Sequence, residues 1–101
     1  MDNNDKKINK ISIIIPVYNG ANVICDCLSS IAKSVIDVPY EIIVIDDGST
    51  DNTKEIALQF PCVYIKIIKS GVAKARNIGI KKASGDILLF FDADVILKED
   101  T

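Results

Sequence analysis

The chain has 101 residues, 49% of them apolar, with 12 basic and 14 acidic side chains, three cysteines and no histidine. That length allows one small domain around one core. The apolar share excludes a disordered tail, and no apolar run approaches the ~20 residues of a membrane span. A net charge of −2 with scattered lysines excludes a nucleic-acid footprint, so no nucleic-acid partner is expected.

Residues 1–10 are polar and charged. They lack the apolar core of a signal peptide and read as a flexible lead-in to a cytoplasmic protein. Ile11 to Ile15 is a β-branched run that reads as a strand. Pro16 has no N–H to give a sheet ladder and marks the strand's last position or exit. Val17 to Gly20 is then a loop. Ile24, Cys27, Leu28, Ile31 and Val35 follow at helical spacing, and Asp37 to Pro39 breaks the pattern. Glu41 to Ile45 is a second strand, with Asp46 to Thr50 as its turn. Asp51 or Asn52 is placed to cap a helix whose inner face includes Ile56 and Phe60, and Pro61 stops it.

Val63 to Ile68 is the third strand. A third helix runs from Val72 to Ala83, with Val72, Ala75, Gly79 and Ala83 on one face. Gly79 lets that face approach a sheet closely, at a propensity cost of about 1 kcal/mol. Gly85 suits the left-handed position after a helix. Ile87 to Phe91 is the fourth strand. Cys25, Cys27 and Cys62 are odd in number and lack zinc spacing. They fit a reducing compartment and read as buried or half-buried fillers, and without a histidine none is activated as a nucleophile.

Strands that are apolar throughout, each followed by one helix, specify a parallel sheet covered on both faces. The fold class is therefore α/β, a doubly wound and mostly parallel sheet. Right-handed crossovers limit the layouts, and the order expected among them is 3-2-1-4, with a switch point between the first and fourth strands. Ligands of such sheets bind beyond the carboxyl ends of the strands. Three polar loops lie there: Pro16 to Gly20, Asp46 to Thr50, and Asp92 to Asp94.

The last of these carries the sharpest chemistry. On extended backbone, Asp92 and Asp94 point the same way with only Ala93 between them. Two close carboxylates repel unless a cation sits between them. Oxygen donors without histidine suit a hard ion, Mg²⁺ or Mn²⁺, which keeps part of its shell for phosphates. The plainer alternative is one turn-capping Asp beside one solvated Asp. Asp46 and Asp47 are adjacent, so only one of them faces the ligand edge; there it can accept from a base N–H or a ribose hydroxyl, or the pair simply forms a turn before Gly48. Tyr18 stacks on a base or is a half-buried loop tyrosine. Arg76, on the first turns of the third helix, reaches a phosphate or is solvated.

Taken together and in order, Ile13 to Asn19, Ile45 to Asp51, Gly71 to Asn77 and Asp92-Ala93-Asp94 resemble the family 2 glycosyltransferases, inverting enzymes with a GT-A fold. The resemblance covers nearly everything after Lys10, read as residues 11–101. It implies that this is the nucleotide-sugar-binding part of a longer domain, truncated before the acceptor-binding half. It implies that the loop of Pro16 and Tyr18 lines the nucleotide pocket, with Tyr18 packed on the base. It also implies Asp47 on the uracil, Arg76 near the base or diphosphate, Asp92 near the ribose or the metal's water shell, and Asp94 on the metal. Many relatives carry Asn and Gly before the third helix, where this chain reads Ile68-Lys69-Ser70-Gly71.

The implied reaction moves a sugar from a nucleoside-diphosphate sugar, a UDP-sugar by resemblance, to an acceptor hydroxyl with inversion. The general base is expected beyond Thr101, so no catalytic residue is assigned within the chain and the chain alone is expected to be inactive. The acceptor, a saccharide or lipid-linked saccharide, belongs to the same missing half; the expected location is the cytoplasm, or the cytoplasmic face of a membrane for the full-length protein. Surfaces left open by truncation would allow a homodimer. Two rival readings stand beside this one. A haloacid-dehalogenase-like phosphatase would use Asp92 as nucleophile, but its motif opens the fold rather than following three strand–helix units. A non-catalytic nucleotide-binding module would keep the fold alone.

Overall fold

The computed structural model describes residues 9–34 and 36–97. Seven elements follow in order: β1 (Ile11–Val17), α1 (Ala21–Lys33), β2 (Tyr40–Asp46), α2 (Thr53–Ala57), β3 (Val63–Lys66), α3 (Val72–Lys82) and β4 (Ile87–Phe90). The four strands form one sheet in the order β3-β2-β1-β4, and every pairing is parallel. The expected α/β class and strand order are what the chain adopts. Of the residues expected on the α1 stripe, Val35 lies outside the described residues, as do residues 1–8 of the expected lead-in. Asn9 and Lys10 are held at their amides by the Asp86 carboxylate, at 2.6 and 3.3 Å.

The register explains the packing. In β1, Ile13, Ile15 and Val17 face α1, where they join Ile24, Cys27, Leu28 and Ile31, with Ala57 of α2 beside them. On the other face Ile43 and Ile45 of β2 meet Ala75 of α3. α3 lies close against this face at Gly79, where a Cβ would come within 2.4 Å of Ile14 Cγ2. Ile14 is β-branched and cannot swing away, so the missing side chain is what permits the contact. β4 pairs with β1 alone, and its other edge has no strand partner among the described residues. Leu89 and Phe90 remain exposed there.

Several local expectations shift. β1 does not end at Pro16: Pro16 pairs in register with Ile45, and Val17 with Asp46. β3 stops at Lys66, two residues short, and Phe60 packs on the core from beyond the end of α2. Val72, expected on the inner face of α3, is half exposed because the helix starts past the end of the sheet. Gly85 is not left-handed; positive φ occurs at Gly48, Gly71 and Asn19. A Cβ at Gly85 would instead strike Ser12 N at 2.7 Å, so close backbone approach to β1 is its physical reason. Cys25 is exposed rather than filling the interior, while Cys27 is buried and Cys62 intermediate.

The amino edge of the sheet is tied by Glu41. Its carboxylate accepts from Ser12 Oγ at 2.6 Å and from Ser84 N and Oγ at 2.9 and 3.1 Å, and pairs with Lys10 Nζ at 3.3 Å. Burial raises its pKa, but the Ser12 and Ser84 donors and Lys10 outweigh that and lower it from 4.5 to about 2. A carboxylate with a depressed folded-state pKa adds stability above its unfolded pKa and loses it as pH falls through the folded one. Acid unfolding is therefore expected to draw on Glu41 between pH 4.5 and about 2. In urea titrations across that window, Glu41→Gln should lose less stability with falling pH than the wild type; parallel curves would refute the assignment.

Candidate functional site

Parallel strands bring all their carboxyl ends to one edge. Four loops therefore converge there: residues 18–20, 47–52, 67–71 and 91–94. The first two are stitched into one platform. Asp47 N donates to Val17 O at 2.8 Å, prolonging the β1–β2 ladder by one residue. Asn19 N donates to Ser49 Oγ at 2.7 Å, and Thr50 N donates back to Asn19 Oδ1 at 2.7 Å. Gly20 N donates to Thr53 Oγ1 at 3.1 Å and Ala21 N to Asp51 Oδ2 at 3.1 Å. Asp51 thus serves two helix starts, since it also accepts from Thr53 N at 3.0 Å. Asn52 holds the N-cap position of α2 without a side-chain cap. A first helical turn has unsatisfied N–H groups, and carboxylates there are favourable.

The two adjacent aspartates divide the work by direction. Asp46 is fully buried: its Oδ1 accepts from Ser49 N at 2.8 Å and its Oδ2 accepts from the Tyr64 hydroxyl. That hydroxyl titrates far above its ordinary range, first because it is buried and then because it donates to Asp46. Asp47 points the other way and gathers the loop after β3. Its Oδ1 accepts from Ser70 N at 2.7 Å, and its Oδ2 accepts from Gly71 N at 3.0 Å and Lys69 Nζ at 3.2 Å. Only 3% of Asp47 is exposed. Burial pushes its pKa up, yet the Ser70, Lys69 and Gly71 donors prevail and hold it below the usual carboxylate range. Gly71 makes the turn into α3 at φ +103°, which a side chain rarely adopts.

This folding-back forms an open cleft of about 120 Å³ lined by Pro16, Val17, Tyr18, Asp47, Lys69 and Val72. It can hold several waters. Pro16, Tyr18 and Asp47 are brought together in its wall. Arg76 and Asp92 lie outside that lining and meet each other, Nη2 to Oδ1, at 3.7 Å. The cavity thus sits over the ends of β1 to β3, while the Asp92–Asp94 segment lies on the β4 side of β1. The switch point marks the boundary between them rather than the cavity itself. The sequence offers no signal that puts Val17, Lys69 or Val72 at the site; Val72 reads there only as an inner-face helix residue. A lysine in a polar loop looks like any solvated lysine, and only the hold of Asp47 on that loop brings it inward.

Asp92 and Asp94 do not lie on the extended backbone expected from the sequence but on a turn. β4 ends at Phe90, and Phe91 N makes one further bond to Ile14 O at 3.0 Å. Asp92 to Val95 then closes a turn, with Val95 N donating to Asp92 O at 3.0 Å. The two carboxylates leave a turn, not an extended strand, because Ala93 packs down on the α1 side of the core. Both residues are exposed, the Asp92 side chain to 71%. Asp94 lies near enough to α1 to act on Cys27, whose thiol is pushed up to about 11 by burial and then by that charge. Among the described residues, no three acidic, cysteine or histidine side chains converge as a complete metal cage. Two exposed carboxylates on a turn, Asp92 beside Arg76 at 3.7 Å and Asp94 three residues short of Leu97, fit the other kind of Mg²⁺ or Mn²⁺ site, in which one or two acids share the ion with water and substrate phosphates.

A parallel α/β sheet with such an edge defines the class of domain that holds its ligand beyond the carboxyl ends of its strands. Residues 12–101 match the family model described as Glycosyl transferase family 2, and the chain belongs to that family. It is 44% identical over 91 residues to the glycosyltransferase AglE of Haloferax volcanii, covering 83% of this chain and 30% of that protein. The crystal structure of Staphylococcus aureus TarS 1-349 in complex with UDP-GlcNAc superposes with a TM-score of 0.82 at 34% identity, covering 90% of this chain and 28% of that one. Mycobacterium tuberculosis glucosyl-3-phosphoglycerate synthase, solved with Mn²⁺, UDP and glucosyl-3-phosphoglycerate, gives 0.76 at 29% identity over 87% of this chain and 34% of that one. The chain thus spans about a third or less of the length of these relatives.

Proposed function

We propose that this chain supplies the nucleotide and metal site of an inverting glycosyltransferase whose donor is a UDP-sugar. The observation that carries the reading is the joining of Pro16, Tyr18 and Asp47 around one cavity, with Arg76 and the Asp92–Asp94 turn on the same sheet edge. Relatives solved with UDP-GlcNAc and with UDP and Mn²⁺ support the choice of donor and ion. In this reading the exposed Tyr18 ring packs on the base, and Asp47 accepts from a base N–H. Arg76 turns from Asp92 toward the diphosphate, since a guanidinium pairs well with phosphate oxygens. Asp94 holds a Mg²⁺ or Mn²⁺ ion, with Asp92 at its water shell or at the ribose. The ion, when bound, spreads the charge of the departing diphosphate.

The acceptor, a saccharide or a lipid-linked saccharide, and the base that takes its proton are assigned to chain outside the described residues. Inversion requires that base on the face opposite the leaving group. Among the described residues no helix is long and apolar enough to cross a membrane, and the proposed place of work is the cytoplasm or the cytoplasmic face of a membrane. The β4 edge, which has no strand partner among the described residues, is the surface proposed for self-association; a monomeric mass in light scattering at high concentration would contradict it. A phosphatase with Asp92 as nucleophile is not favoured, because family membership and the position of Asp92 after the fourth strand both speak for the transferase.

The test is a titration with UDP in Mn²⁺ and again in EDTA, on wild type and Asp94→Ala. Binding should depend on metal and drop at least tenfold in Asp94→Ala, about 1.4 kcal/mol. Equal binding in EDTA would refute the metal assignment, and no UDP binding in any condition would refute the nucleotide site.

A further inference from the structure

The cavity wall carries a cation that the proposed reading does not use. Lys69 Nζ lies 4.3 Å from the centre of the Tyr18 ring and 3.2 Å from Asp47 Oδ2. These are the two groups assigned to a base, one by stacking and one by accepting a hydrogen bond. A single ammonium engages both. The ring attracts it through its quadrupole, the carboxylate by charge. With Ser70 N on Oδ1 and Gly71 N on Oδ2 as well, Asp47 has little accepting capacity left while Lys69 stays in place.

The loop backbone beneath Lys69 is fixed. A Cβ at Gly48 would meet Lys69 N at 2.8 Å, so the two backbone segments run close together there, and the next two amides are held by Asp47. The Lys69 side chain is 52% exposed. The part that can leave is therefore the side chain and not the loop.

We propose that Lys69 is a specificity-determining residue of this pocket: its ammonium occupies the base slot between Tyr18 and Asp47 in the free protein, and a base enters by displacing it. The inference rests on the reading of the cavity as a nucleotide site. A neutral nucleoside must break the ring contact and the ion pair and offers the displaced ammonium nothing. A nucleoside diphosphate offers anionic oxygens, which a lysine on its flexible four-carbon stem can follow. Lys69 thereby favours the diphosphate over the nucleoside carrying the same base.

The experiment is an NMR shift titration of the 101-residue chain, wild type and Lys69→Ala, with uridine and with UDP, Mn²⁺ being replaced by Mg²⁺ throughout to avoid paramagnetic broadening. Lys69→Ala should bind uridine roughly threefold to tenfold more tightly, with UDP affinity unchanged or lower, so that the preference for UDP over uridine falls at least about threefold. If wild type binds UDP and Lys69→Ala keeps or raises that preference, the role of Lys69 is overturned while the nucleotide site stands. If neither protein binds UDP, the nucleotide reading falls and this inference with it.

Discussion

Asp46→Ala is expected to cost about 2–4 kcal/mol of stability, one of the largest losses available from a single polar substitution here. The carboxylate joins the end of β2 to the turn after it and to β3, through Ser49 N and the Tyr64 hydroxyl. Deleting it leaves the buried Ser49 N–H without its partner and opens a small void in a site with no access to water. A lost hydrogen bond to a charged group costs more than one between neutral groups, and an orphaned buried donor adds its own penalty. Removing a buried carboxylate also returns some desolvation cost, which is why the expected figure is not higher. Tyr64→Phe should lose less, because the Ser49 bond survives. The midpoint of urea unfolding reads both effects. A loss below about 1 kcal/mol in Asp46→Ala would mean that the turn is held by its neighbours and not by this side chain.

The neighbouring substitution should behave differently. Asp47→Ala is expected to weaken UDP binding by about tenfold to a hundredfold while changing the unfolding midpoint less than Asp46→Ala does. Two separate effects act. The group assigned to the base N–H disappears, and Ser70 N, Gly71 N and Lys69 Nζ lose the acceptor that folds residues 69–71 over the cavity. Asp47→Asn keeps an oxygen for one of the two amides but drops the ion pair, so it should fall between wild type and Asp47→Ala. Calorimetric titration with UDP in Mn²⁺, run beside urea unfolding on all three proteins, separates the effects. Binding unchanged in Asp47→Ala would remove this residue from the site and leave it a loop anchor alone.

The contrast between these two aspartates shows where sequence reasoning reached its limit. Alternation along extended backbone was enough to say that only one of the pair would face the ligand edge. The family resemblance pointed to Asp47. That the other would be a buried acceptor for Tyr64, eighteen residues away, depends on β3 lying beside β2 in a register that places Asp46 opposite Lys66. No local signal carries that register.

The order and direction of the strands were legible because β-branched runs separated by single helices leave few parallel arrangements, and handed crossovers remove most of those. The inner face of α1 was legible for the same kind of reason, a 3.6-residue period for Ile24, Cys27, Leu28 and Ile31, and that of α3 in part, at Ala75 and at Gly79 where it meets Ile14 but not at Val72. Element ends were less so. Pro16 stays in β1 and Gly85 keeps negative φ, because neighbouring backbone rather than intrinsic preference decides those positions.

What the amino-acid sequence determined by itself is the α/β class and the polar side chains that would collect at one sheet edge, since both follow from periodicity and chain direction; the 3-2-1-4 order was the preferred one of the few layouts that handed crossovers allow. The tertiary structure decided the rest: that Lys69 sits between Tyr18 and Asp47, that Arg76 meets Asp92, and that Asp92 and Asp94 leave a turn. Each of these joins segments that are distant in sequence or depends on where a neighbouring core stops, and such distances exist only once the sheet has assembled.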